Sequence, residues 1–171
     1  MKSFTLILLA LLAAPAWALP EILQREGGWQ RRGSGELTWL GFHVYRATLW
    51  TAGKSDDPTA APLALSLEYR RALKGAGIAR SSIDEMRRLG AAEAALARWD
   101  ERLRLLFPDV AAGDRITGVY LSSGTTRFYF GERYLGEIAD PDFSRHFFGI
   151  WLDARTRAPE VRAALLREEA P

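Results

Sequence analysis

An alternation of apolar and polar side chains over residues 63–70 constrains the fold more than any other feature of the sequence. Every second residue from Leu63 to Tyr69 is apolar, and the positions between them include Ser66 and Glu68. This period of two is typical of a β-strand with one buried face and one exposed face. Other elements of the chain must therefore cover one face of this strand.

Further β-rich segments lie on both sides of this strand in the chain. Residues 36–51 are crowded with Val, Thr, Trp, Tyr and Phe, which predicts one long strand, bent at Gly41. Residues 28–32 predict a short strand before it, placed to pair with it as a hairpin. Three shorter runs later in the chain predict consecutive antiparallel strands: residues 114–121, 125–131 and 134–138.

The remaining segments show the three-and-four spacing of amphipathic helices. Ser82 precedes Glu85 by three residues, which predicts a helix start at Ser82 and a helix to about residue 89. A second helix follows over residues 92–106, and two more begin at Asp140 and near Pro159. Strands and helices in such separate runs predict one α+β domain, a large antiparallel sheet covered on one face by helices.

The first residues have the pattern of an export signal. Lys2 precedes an apolar run over residues 4–14, and small residues at 16 and 18 suit a signal peptidase. The alternative is a membrane anchor, but the run is shorter than the roughly 20 residues that span a bilayer. We therefore expect a signal peptide at residues 1–18 and a mature domain at residues 19–171, periplasmic or secreted, with no stable membrane insertion after cleavage.

Several classes of function are excluded or disfavoured by composition. The chain has no cysteine, and its two histidines, His43 and His146, are far apart, so we predict no metal site and no thiol chemistry. No phosphate loop, dinucleotide fingerprint or serine elbow is present, and no cofactor is expected. The 23 Lys and Arg residues nearly balance 21 Asp and Glu, which argues against nucleic acid as a partner.

Arg46 is a charged residue on the mostly apolar side of a β-rich segment. It lies in the long β-rich segment on the same side as Val44, Thr48 and Trp50. A guanidinium on a mostly apolar face needs a partner, since burial of an unpaired charge is very costly. Either it has an internal ion pair or lies at a strand end that reaches solvent, or it binds an anionic ligand at the mouth of an apolar pocket, with Tyr45 or Tyr69 as a neutral donor.

Three stretches, in this order and spacing, resemble the bacterial chalcone isomerase-like proteins. They are LTWLGFHVYRATLWT, then LALSLEYRRALKGAGIARSSIDEMRRLG, then a closing portion in which G-E-I precedes a Phe-rich helix, a proline and an apolar final helix. The resemblance covers nearly all of the expected mature chain. It implies an open-faced β-sandwich, in which a ligand sits between a large antiparallel sheet and a layer of helices.

The resemblance does not imply the plant activity. Plant chalcone isomerases stabilise an oxyanion with an arginine near the start of the long strand and a threonine further along it. Here the threonine position holds Tyr45, and the arginine position holds Gly35 or Glu36. Loss of the positive charge removes the larger electrostatic contribution to such a reaction.

Fatty-acid-binding members of the superfamily hold a carboxylate with an arginine and a tyrosine, a role that Arg46 with Tyr45 or Tyr69 would fill here. We therefore expect a non-catalytic binder of a small apolar ligand such as a fatty acid, and predict no catalytic residue. Two alternatives stay open. One is an intramolecular lyase acting on another substrate, and the other is a structural module whose cavity is filled by its own aromatic side chains.

Overall fold

A computed structural model of the chain describes residues 21–53 and 57–167. The expected signal peptide lies outside these residues. The strands are β1 (Trp29–Trp39), β2 (Phe42–Ala52), β3 (Leu63–Tyr69), β4 (Arg115–Tyr120), β5 (Thr125–Phe130) and β6 (Arg133–Ala139). The helices are α1 (Glu21–Glu26), α2 (Gly75–Arg88), α3 (Glu93–Leu106), α4 (Pro141–Leu152) and α5 (Pro159–Leu166).

The strands form one six-stranded antiparallel sheet whose spatial order follows the chain from β1 to β6. The connection between β3 and β4 carries α2 and α3, and α4 and α5 follow β6. Side chains from these four helices and from alternate strand positions share one hydrophobic core. We call the covered side the inner face of the sheet and the other side its outer face. The predicted α+β fold with one helical layer is confirmed.

The outer face carries a second, smaller apolar cluster. Leu23 of α1, a helix that the sequence analysis did not predict, packs there with Ala64, Val119 and Tyr129. Ala64, Val119 and Tyr129 lie on β3, β4 and β5. The residues on either side of each of them along the strand point to the inner face. A short helix therefore covers part of the face that was expected to be bare.

The prediction of one long strand over residues 36–51 is wrong. The chain reverses at Leu40 and Gly41, which have positive φ angles of 50° and 80°, and residues on either side belong to β1 and β2. Two central residues with positive φ suit a two-residue hairpin turn, in which glycine is common and leucine is not. The single glycine was therefore read as a bend, and the strand expected at residues 28–32 is the start of β1.

The predicted start of the first long helix is also wrong. The helix α2 begins at Gly75, and Ser82 lies within it, donating a hydrogen bond from its hydroxyl to the carbonyl of Ile78 (2.9 Å). The carboxylate of Asp109 accepts a hydrogen bond from the backbone N–H of Gly75 (3.0 Å). The first turn is therefore satisfied by a residue far along the chain, which no local pattern reveals.

The predicted start of α4 is confirmed. Asp140 accepts hydrogen bonds from the backbone N–H groups of Asp142 (2.9 Å) and Phe143 (3.2 Å), and Pro141 occupies the first turn. The Asp140 carboxylate also accepts a hydrogen bond from the indole of Trp99 (3.0 Å). Since Trp99 belongs to α3, the same side chain that begins α4 fixes α4 against the neighbouring helix.

Candidate functional site

Tyr45 and Tyr69 face each other across neighbouring strands on the inner face. They are direct partners in the register of β2 and β3, and their rings meet edge to face with centroids 6.2 Å apart. Tyr69 is buried, while Tyr45 is half-buried at the margin of the core. The structure thus brings together two of the three residues predicted to bind ligand.

The two hydroxyl groups differ in their hydrogen bonds. The indole of Trp151, on α4, donates to the Tyr45 hydroxyl oxygen (2.9 Å). Because Tyr45 accepts this bond, its own O–H is left to donate to another group. The Tyr69 hydroxyl makes no hydrogen bond to a residue in 21–53 or 57–167. The pair therefore has unused donor capacity in a largely apolar setting.

The surroundings keep both hydroxyl groups protonated. Burial raises the pKa of Tyr45 to about 12, the hydrogen bond from Trp151 acts against this rise, and the negative charge of Glu85 adds to it. Burial also raises the pKa of Tyr69, and the nearby Tyr45 adds to that effect. At neutral pH both groups are therefore neutral hydrogen-bond donors, and neither is a base.

Glu85, on α2, lies in a cluster of charges at the edge of this site. Its carboxylate pairs with Arg88 (2.7 Å) and with Arg157 (3.1 Å). Arg88 also donates to the backbone carbonyl of Arg155 (2.7 Å). Two guanidinium groups thus share one carboxylate, and Glu85 is the member of this cluster whose charge acts on Tyr45.

Arg46 lies on the outer face, away from the two tyrosines. Its guanidinium donates two hydrogen bonds to Glu36 of β1, at 3.0 Å from Nε and 2.6 Å from Nη2. Of the alternatives for Arg46, the structure shows an ion pair that is partly open to solvent, with the Arg46 side chain 32% exposed. Arg46 and the tyrosines alternate to opposite sides of the sheet, so one headgroup between sheet and helices cannot contact all three. A ligand role for Arg46 stays a prediction, and any such role belongs to the outer face.

Aromatic rings occupy much of the space between the sheet and the helices. Phe128 of β5 has edge-on contacts, at centroid distances of 5.2 to 6.2 Å, with rings from α4 and from the segment after α3. Rings of α4 also contact one another and Tyr120 of β4. The residues in this aromatic cluster are Phe107, Tyr120, Phe128, Phe143, Phe147, Phe148 and Trp151. The tyrosine pair adjoins this cluster through Trp151.

Metal and membrane-spanning features are not found in the part of the chain that the structure describes. No group of three or more His, Asp or Glu side chains among residues 21–53 and 57–167 is arranged to hold a metal ion. Within the same ranges, no helix has both the length and the apolar character needed to cross a bilayer.

The arrangement around Tyr45 and Tyr69 is suited to binding a polar group by neutral hydrogen bonds.

The sequence analysis missed the helical side of this site. Trp151 lies on the buried side of α4, and its indole N–H is a donor that needs an acceptor when buried. That requirement is readable from sequence, but the acceptor, Tyr45, lies more than a hundred residues earlier in the chain. Glu85 and Arg88 on α2, and Arg157 in the loop before α5, gave no local signal of a binding site, because charged residues are usually solvated.

Comparisons with known proteins agree with this architecture. A family model described as chalcone isomerase-like matches residues 30–167. An uncharacterized protein of Haemophilus influenzae is 29% identical over 140 residues, which is 81% of this chain and 68% of that protein. Among solved structures, a fatty-acid binding protein of Arabidopsis thaliana superposes with a TM-score of 0.63 at 10% identity, covering 81% of this chain and 87% of that one. At that identity the likeness is one of fold.

Proposed function

The chain belongs to the chalcone isomerase-like family, and from that premise we propose that it binds a small, largely apolar ligand of the fatty-acid kind without converting it. The ligand lies between the sheet and the helices. Its polar end accepts hydrogen bonds from Tyr45 and Tyr69, and its apolar tail contacts the aromatic cluster. The fold shared with a fatty-acid binding protein supports this class of ligand.

One observation carries the proposal. The Tyr69 side chain is only 2% exposed, and its hydroxyl makes no hydrogen bond to a described residue. This hydroxyl is not among the fully buried polar atoms that lack a partner, so a hydrogen-bond acceptor can still reach it. A ligand oxygen between Tyr69 and the O–H of Tyr45 would satisfy both groups.

Two features argue against oxyanion chemistry at the same place. A side chain at Gly35 would meet the backbone of Val161, because α5 lies directly against β1 there. No room is left for a cation on the inner face at that position. The charged group that acts on Tyr45 is Glu85, and its negative charge would oppose a developing oxyanion. Binding by neutral donors is the chemistry that this environment favours.

The binding experiment compares two single-atom changes. Native mass spectrometry of the protein purified from its host identifies any bound lipid, and fatty acids are then titrated into the delipidated protein. We expect Tyr69→Phe to weaken fatty-acid binding about fivefold, the effect of one neutral hydrogen bond of about 1 kcal/mol. Tyr129→Phe is the matched control, because Tyr129 is also buried but lies on the outer face. Equal affinity of both variants, or no bound lipid and no thermal shift, refutes the proposal.

The proposed lack of catalysis is tested separately. Purified protein is incubated with a chalcone, and the loss of chalcone absorbance is followed. The expected rate equals the uncatalysed background. Turnover that depends on the protein and disappears in Tyr45→Phe would instead support the alternative of an intramolecular lyase.

A second candidate function is a structural module without a ligand. The dense contacts of the aromatic cluster favour it, since rings that fill the layer leave less space for a tail. In that case fatty acids neither bind nor raise the melting temperature, and Tyr69→Phe leaves the protein unchanged.

We also propose that the chain is exported, with removal of residues 1–18. The support is the sequence pattern of Lys2, the apolar run and the small residues before residue 19. The mass of the protein recovered from its host tests this: a mature chain that begins at residue 19 is expected, and retention of residues 1–18 contradicts it.

A further inference from the structure

The hairpin turn between β1 and β2 exposes large apolar side chains at its tip. Trp39, Leu40 and Phe42 are 65%, 74% and 64% exposed. Leucine is disfavoured in the left-handed conformation that Leu40 adopts, where asparagine or glycine would be better. The tip is therefore unfavourable for the isolated protein in both conformation and solvation. Apolar groups that protrude in this way are typical of a surface that meets another apolar phase.

Basic groups surround the tip on the side of the outer face. The guanidinium of Arg71 lies over the Phe42 ring, 5.9 Å from its centroid, and has no carboxylate partner in the described residues. A depression of about 720 Å³ lies beside the ring, and it is lined by Glu36, Phe42, His43, Arg70 and Arg71. Its one carboxylate, Glu36, is already paired with Arg46. Arg70 is also paired, with Glu68 (2.6 Å), so the positive charge that the depression offers to an anion is that of Arg71.

The tip lies at the same end of the sheet as the tyrosine pair. Tyr45 lies three positions after Phe42 in β2, and Tyr69 immediately precedes the two arginines Arg70 and Arg71. A surface that received the apolar tip would lie close to the half-buried Tyr45. Apolar residues at a protruding turn, with arginines set behind them, match the two layers of a membrane surface: acyl chains and anionic headgroups.

From these observations we propose that the β1–β2 hairpin docks onto anionic lipid bilayers. The side chains of Trp39, Leu40 and Phe42 enter the interface between headgroups and acyl chains. Arg71 binds the phosphate or carboxylate groups of the headgroups. This docking is peripheral and reversible, and it does not require that a ligand be bound between the sheet and the helices.

The experiment measures sedimentation of the protein with vesicles of phosphatidylcholine, with and without phosphatidylglycerol. The apolar run at residues 4–14 would itself bind lipid if retained. The start of the purified chain is therefore determined by mass spectrometry, and only preparations with the same start are compared. We expect binding to the vesicles that contain phosphatidylglycerol, and weaker binding as salt is added.

A matched pair of variants separates docking from folding. Leu40→Asn places a residue that tolerates the left-handed conformation at the tip, so the variant should fold at least as stably as the parent protein. Its affinity for anionic vesicles should fall about tenfold, through loss of a buried leucine. Leu105→Asn is the control, since Leu105 on α3 is equally exposed at 74%, and its vesicle binding should be unchanged. Arg71→Gln should lower the affinity about fivefold.

Three outcomes would overturn the proposal. One is that the parent protein does not bind anionic vesicles, and another is that Leu40→Asn binds them as well as Leu105→Asn does. The third is a dimer in solution that Leu40→Asn dissociates, which would make a second copy of the chain the occupant of the tip. Failure of fatty-acid binding would leave vesicle docking standing, so the two proposals fail separately.

Discussion

The two faces of the sheet are held by different kinds of interaction. The inner face packs aromatic and aliphatic side chains against four helices, and rings of Phe128 and α4 contact each other repeatedly. The outer face has one small apolar cluster, and beside it cross-strand pairs of polar and charged groups. Examples are Ser66 with Thr117 (2.9 Å) and Glu36 with Arg46 (2.6 Å). The free energy of unfolding should therefore depend mainly on the inner face. Each cross-strand pair of the outer face should add a small, independent contribution.

The largest expected difference in stability between the two faces is tested at two neighbouring residues. Phe128 points into the inner core and Tyr129 into the outer cluster. We expect Phe128→Ala to lower the free energy of unfolding by about 4 kcal/mol, because it leaves a cavity among packed rings. Tyr129→Ala should cost about 2 kcal/mol, since fewer groups surround it. Urea denaturation measures both, and equal losses would contradict the assignment of the main core to the inner face.

A smaller effect is expected at the buried hydroxyl pair of the outer face. Thr117→Val removes the partner of the Ser66 hydroxyl and should lower the free energy of unfolding by about 1–2 kcal/mol, because a buried polar group is left unsatisfied. Adding Ser66→Ala should restore part of the loss. A double-mutant cycle measures this coupling, and strictly additive losses would show that the pair does not interact.

The smallest effect concerns the ion pair of Glu36. The hydrogen bond from Arg46 lowers the pKa of Glu36 below its ordinary value of 4.5; burial acts in the opposite direction, and nearby positive charges add to the lowering. The pair therefore stabilises the folded chain above pH 4.5, and this contribution is lost as pH falls through the lowered pKa. Because Glu36 is 36% exposed, screening keeps the contribution below about 1 kcal/mol.

Glu36→Gln tests this by denaturation at several pH values. The variant should lose the part of the acid sensitivity that comes from Glu36, and its deficit at neutral pH should shrink when salt is added. A deficit that is the same at pH 3 and at pH 7 would assign the effect to packing.

The elements that were predicted well are those whose signals are local. The position of β3 and the cap formed by Asp140 and Pro141 depend on neighbouring residues, and both appear in the structure as predicted. The exposed face predicted for β3 is wrong: all seven residues are buried, with Ser66 and Glu68 only 7% and 8% exposed, because neighbouring side chains also cover the outer face of this central strand. The hairpin turn was missed because Leu40 takes a conformation that its residue type disfavours. The start of α2 was missed because Asp109, which satisfies its first turn, lies in a later part of the chain.

The candidate site shows the same limit. Tyr45 and Tyr69 were identified from composition and strand position, and their pairing across β2 and β3 follows from the register. The contribution of Trp151 could not be predicted, because it depends on how α4 is placed over the sheet. Arg46 was assigned to the right strand, but merging β1 and β2 into one strand hid its cross-strand partner, Glu36.

The contact between Gly33 of β1 and α5 has a consequence for the order of events during synthesis. A side chain at Gly33 would collide with the backbone of Ala164 and Leu165, so strand and helix touch at their main chains. On the ribosome, the first strand emerges long before this helix does. The sheet can assemble strand by strand as translation proceeds, but its first strand stays uncovered until residues 159–166 have left the exit tunnel.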